Sequence, residues 1–204
     1  MIKIPIPGLK QPLAFIGEAV ETPYTHEGGD TFRDFMLEGA RKQLDLMGGV
    51  SAVFGFLMPV FDAPLCQRYG TGILPIQEYM EDHDTKNRIA SLLRGILQLF
   101  KGFYCVFISE VWSAQIAADK TVDEIRQGFD SVEDMPNVQE HLMVVVEKLD
   151  ANGLPEATRW LFPIHRDAEG KPSLGPRIDL DQGSMGAEGR FASFLPPAPG
   201  VEVH

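Results

Sequence analysis

Three strand-like stretches of this chain carry side chains able to do acid–base or anion-binding chemistry. Glu110 stands between Ile108 and Trp112 in FYCVFISEVWSAQI (residues 103–116). Glu147 lies near the end of HLMVVVEKL (141–149), which opens on His141, and ATRWLFPIHR (157–166) carries Trp160, Arg159, His165 and Arg166. A carboxylate and an imidazole within hydrogen-bond reach form a general base and a general acid, and an arginine beside them grips an anionic substrate with a planar fork. On this reading Glu110 and Glu147 are candidate catalytic bases, with His141 and His165 as acids. Arg159 and Arg166 are the binding cations, and Trp112 and Trp160 offer aromatic faces to a ligand.

These residues act together only if their strands lie side by side, because side chains alternate across a strand. Counting by twos, Glu110 shares a face with Tyr104, Val106, Ile108 and Trp112, while Cys105, Phe107 and Ser109 take the other. Glu147 shares a face with His141, Met143 and Val145. Arg166 falls with Thr158, Trp160, Phe162 and Ile164, leaving Arg159 and His165 opposite. An ion removed from water without a partner costs several kcal/mol or is neutralised. Arg159 or Arg166 is therefore expected to meet Glu110 or Glu147 across the sheet, either as a structural ion pair or within a catalytic cluster. Polarity begins at Ser109, so Glu110 is expected where a buried strand emerges at the end of a sheet. Glu147 and Lys148 precede a turn, where a strand end is ordinarily solvated.

Other polar groupings carry less. His26-Glu27 and Glu81-Asp82-His83-Asp84 lack the convergent spacing of a metal site, and the second reads as the acidic first turn of a helix. The Gly-rich stretch from Gly183 to Arg190 resembles a phosphate cradle, but no helix-forming segment follows it to aim backbone amides at an anion. It reads as a flexible connector. Cys66, beside Arg68, has no identifiable base, and Ser109 and Ser113 lack the tight elbow of a serine nucleophile. No metal and no cofactor is expected.

Composition narrows the classes further. With 29 acidic and 18 basic residues the net charge is -11, a field that repels phosphate backbones and anionic lipid. Nucleic acid and membranes are thus poor partners. The hydrophobic share of 44% and charged share of 23% belong to an ordinary folded domain. Two cysteines cannot build a disulfide framework, and MIKIPIPGLKQP lacks the apolar core of a secretion signal, so a reducing, cytoplasmic setting is expected.

The elements that must position the polar residues follow from periodicity. Residues 1–28, rich in Pro and Gly, are expected as an irregular arm. Asp30 or Thr31 caps a helix carrying Phe32, Phe35, Met36, Ala40 and Leu44, stopped by Gly48-Gly49. SAVFGFLMPVF (51–61) is apolar on both faces and reads as a central strand. A loop holding Gly70 and Gly72 leads to a strand over 73–80. A second helix places Ile89, Leu92, Leu93, Ile96 and Leu97 on one face and ends at Lys101-Gly102. Thr121 and Glu124 form a capping box for a short helix. Asp150 to Gly153 turns 141–149 into 157–166, and a second tight turn at Asp167 to Gly170 leads to a last strand near 177–180. The order predicts an α+β fold: a mainly antiparallel sheet of five to six strands with two main helices on one face. Residues 29–182 form one domain, and 183–204 are a Gly/Pro-rich tail lying over the surface.

The expectation for function is a small cytoplasmic protein that acts by binding a protein partner or by self-association as a homodimer. A hydrolase or lyase built on the Glu/His/Arg cluster is the alternative from a different class. An acidic inhibitor of a nucleic-acid-binding protein is the third.

Overall fold

The computed structural model describes residues 2–4, 13–23, 26–60, 68–80, 83–114, 137–180 and 193–198. Among them are nine strands, two α-helices and a single 3₁₀ turn at Gln77–Tyr79. In chain order they are β1 (Ile2–Ile4), β2 (Leu13–Pro23), α1 (His26–Met47), β3 (Val53–Val60), β4 (Arg68–Pro75), α2 (His83–Phe100), β5 (Tyr104–Ala114), β6 (Val138–Leu149), β7 (Pro155–Arg166), β8 (Pro172–Leu174) and β9 (Ile178–Leu180). All pairings are antiparallel, in the order β1-β2-β4-β3-β5-β6-β7-β8, with β9 also on β7. The α+β class and the antiparallel sheet are as expected. Six strands have eight or more residues, and three-residue strands lie at its margins.

The register explains why β3, β5 and β6 are apolar on both faces. Tyr104, Val106 and Ile108 of β5 join Leu57, Val144 and Trp160 beneath α1, which contributes Phe32, Met36, Ala40 and Leu44. Cys105 and Phe107 point the other way, with Phe54, Phe56 and Val145, toward Ile89, Leu93, Ile96 and Leu97 of α2. The two helices thus cover opposite faces rather than the same one. The sheet centre is buried twice, so alternation of polar and apolar residues is lost there. Gly55 in β3 lets α1 approach closely: a Cβ there would stand 2.9 Å from both Phe32 Cζ and Met36 Cε.

Helix ends follow the local signals. Gly48, at φ 76°, donates to the Leu44 carbonyl at 2.9 Å and closes α1. At the end of α2, Lys101 takes the left-handed conformation (φ 53°) and Gly102 donates to the Leu97 carbonyl at 2.7 Å. The Asp150 carboxylate organises the β6–β7 turn by accepting from the Asn152 and Leu154 amides, both at 2.8 Å.

Four further expectations are corrected. Residues 13–23 are not irregular: they pair with β4 as a sheet strand. The strand expected at 73–80 runs earlier, from Arg68 to Pro75, so Gly70 and Gly72 are strand residues. Helix α1 begins at His26, a turn before the Asp30 or Thr31 cap. Residues 193–198 do not simply lie over the surface, since Phe194 and Leu195 are buried in the core beneath α2. Propensity and turn residues describe local preference, and tertiary pairing overrides them. The expected Thr121–Glu124 helix, Cys66 and the Gly183–Arg190 connector lie outside the described residues.

Candidate functional site

On the α1 face, β5, β6 and β7 together build a polar cluster. Strands β5 and β6 pair Glu110 with Leu142 and Trp112 with Glu140. Glu110 does not meet an arginine directly. Its Oε1 accepts the Val50 amide at 2.6 Å, at the corner where α1 passes to β3. The arginine fork is taken by Glu140: Arg166 Nε donates to Oε2 at 2.9 Å and Nη2 to Oε1 at 2.7 Å. The remaining Nη1 of Arg166 donates to the Gly48 carbonyl at 2.9 Å. Both side chains therefore tie the corner just after α1, at Gly48 and Val50, to the sheet. Burial pushes the Glu110 carboxyl up from its ordinary value; the Val50 amide opposes this, Glu140 adds to it, and Arg166 opposes it. The Glu140 hydrogen bonds hold Arg166 more firmly protonated.

Glu147 lies on the opposite face, paired with Cys105 across β5 and β6. It is 1% exposed rather than solvated at a strand end. Its Oε2 accepts the Phe194 amide at 2.7 Å and the Leu195 amide at 3.0 Å. Burial raises the Glu147 carboxyl, while the amides of residues 193–195 and the charge of Arg159 pull it back. The Cys105 thiol is pushed well up, first by burial and then by the neighbouring Glu147 charge, which keeps it an un-ionised thiol.

The histidines stand apart from both carboxylates. His141 is buried, with Nδ1 3.1 Å from its neighbour Gln139's carbonyl and 3.2 Å from Ser113 Oγ. A carbonyl only accepts, so that contact places the proton on Nδ1 and leaves Ser113 without a base there. His165 is exposed near the end of β7, beside Gly175. Trp160 is buried, and the guanidinium carbons of Arg33 and Arg177 lie 5.2 and 5.1 Å from its ring, so its faces are engaged from within the chain. Trp112 is 42% exposed.

The eight sequence-derived candidates thus divide between faces. Glu110, Arg166, Trp112 and Trp160 take the α1 side; Glu147, His141, Arg159 and His165 take the other. Within each strand the residues expected to share a face do so, while the register between strands decides which groups fall on the same side. Two participants were missed. Glu140 becomes legible once the alternation Leu142, Val144, Val146 is extended two residues back, since β6 begins at Val138 rather than His141. The Phe194-Leu195 pair stands as a bulky apolar doublet in an otherwise Gly/Pro-rich tail.

Fold and site together define an α+β protein in which one antiparallel sheet lies between two helices and its inward carboxylates bind main-chain groups. Comparison with known proteins finds no matching family model, no matching curated protein and no matching solved structure. No helix of the described residues is long and apolar enough to cross a membrane.

Proposed function

We propose that this chain acts in the cytoplasm by protein–protein binding, with self-association as a homodimer the first form to test. The observation supporting this reading is the surface where α1 ends. Leu46 and Met47 are 85% and 74% exposed there. Met47 adjoins Gly48, which is bonded to Arg166; Arg166 is bonded to Glu140, and Glu140 is the cross-strand neighbour of exposed Trp112. Trp, Met and Arg around an apolar centre are the residue types that dominate binding energy at protein interfaces. The polar lock beneath them holds helix end and strand end in one rigid arrangement, which lowers the ordering cost of association.

Light scattering across a concentration series, with affinity capture, tests the reading on the native chain and on a Leu46→Glu/Trp112→Ser variant. The expected result is a concentration-dependent increase in mass, or capture of a defined partner, lost in the variant. A native chain that stays monomeric and captures nothing overturns it, as does binding that the variant leaves unchanged.

A further inference from the structure

Residues 193–198 run along the α2 face as a strap. The Phe194 and Leu195 amides donate to one oxygen of Glu147 at 2.7 and 3.0 Å. The Phe194 ring sits 4.9 Å from Phe54 and 6.5 Å from Phe107, centroid to centroid. Arg94 of α2 donates to the Ser193 carbonyl at 3.2 Å, and its guanidinium carbon lies 5.5 Å from the Phe194 ring. Farther along, the Ala198 amide donates to the Gly153 carbonyl in the β6–β7 turn at 2.8 Å. The other Glu147 oxygen is buried and has no hydrogen-bond partner among the described residues.

We propose that this socket is a peptide-binding site, filled in the monomer by the chain's own residues 193–198 and filled in trans by the same segment of a second copy. The recognition chemistry is specific. A buried carboxylate reads two consecutive main-chain amides, an aromatic pocket reads the first side chain, and the β6–β7 turn takes a third amide. All the strap contacts above lie within six residues, so an identical segment from another copy reproduces each of them with no new interaction. Exchange of an identical element is a low-cost route to a dimer. The twelve residues 181–192 that join β9 to the strap have a contour length of at most about 40 Å. The occupant is another copy because this chain's own segment is the sequence seen to fit. The socket lies on the α2 face, so the inference is independent of the surface at the end of α1.

The test uses two differently tagged full-length native chains, held together at high concentration, diluted and captured by one tag. Mixed pairs are expected, and an excess of the peptide Phe-Ala-Ser-Phe-Leu-Pro-Pro-Ala, residues 191–198, should abolish them. The same peptide with serine replacing the residues equivalent to Phe194 and Leu195 should not. In fluorescence anisotropy the labelled native peptide should bind a full-length Phe194→Ser chain about tenfold more tightly than the native chain, whose own strap competes. Absence of mixed pairs overturns the proposal. Pairs that persist in excess peptide overturn it too, and that outcome assigns self-association to another surface while leaving the functional reading standing. Equal peptide affinity for native and folded variant chains counts against it in the same way. If the variant does not fold, the native-chain exchange decides alone.

Discussion

Glu110 Oε1 and the Val50 amide nitrogen lie 2.6 Å apart across 60 residues of sequence. That bond explains a carboxylate in a buried strand: it accepts a main-chain donor where α1 gives way to β3, a corner with no ladder partner to offer. A bare backbone eases the approach, since a Cβ on Gly49 would stand 3.3 Å from the same oxygen, tighter than an ordinary contact.

Glu110→Ala removes the acceptor and leaves a part-buried amide unpaired, at a cost of about 1–3 kcal/mol. Glu110→Gln retains an acceptor oxygen and removes a charge that burial disfavours, so its urea midpoint should stay near native. Equal loss in the two variants would show that the charge, rather than the hydrogen bond, is what the corner needs.

The Arg166 fork is partly open to water, its side chain 37% exposed against 10% for Glu140. Solvent weakens the ion pair, so Arg166→Ala should cost about 1–2 kcal/mol, less than a fully buried pair. Arg166→Lys should recover less than half of this, because a point charge cannot bridge two Glu140 oxygens and the Gly48 carbonyl at once. Urea unfolding of both, combined with Glu140→Gln in a double-mutant cycle, measures the coupling. Additive losses would contradict it.

Glu110 and Glu147 both keep their protons to higher pH in the folded chain than in the unfolded one. Their contribution to stability is complete below the ordinary value of 4.5 and is lost as pH rises through the raised folded-state values. The charged neighbours are Glu140 and Arg166 for the first and Arg159 for the second, which also has the un-ionised Cys105 thiol beside it. Asp150, lowered chiefly by the Leu154 amide, acts in the opposite sense and only as pH falls below its ordinary 3.8. Glu147→Gln should therefore flatten the decline in unfolding free energy as pH rises above the ordinary carboxylate value of 4.5. An unchanged slope in denaturant titrations across that range would refute the assignment.

Phe194→Ala empties an aromatic pocket and should cost about 3–5 kcal/mol, lowering the thermal midpoint by several degrees. At the opposite sign, Lys101→Gly relieves a left-handed residue at the end of α2 and should stabilise by about 0.5–1 kcal/mol. Calorimetry of the two variants checks both directions. A neutral Phe194→Ala would mean that the tail is not part of the folded core.

The element types were readable because they rest on short-range physics. Period-two patterning grouped the residues that share a face within each strand, such as His141 with Glu147 and Trp160 with Arg166. Glycines marked the ends of both helices, and an Asp-Ala-Asn-Gly turn joined β6 to β7. The N-terminal strand was not readable, because residues 13–23 gain their pairing from β4, some 50 residues later. Pro and Gly in that region point locally to coil.

By itself, the order of residues determined the two helices, the central buried strands and which residues of a strand share a face, since alternation and helical spacing are properties of neighbouring residues. Only the tertiary structure decided that α1 and α2 take opposite faces, that Arg166 chooses Glu140, and that Glu147 receives the amides of residues 194 and 195. Those partners are brought within 3 Å by pairings between distant segments. A carboxylate's need for a donor is written in its chemistry, but the donor's address is set by how the sheet closes around it.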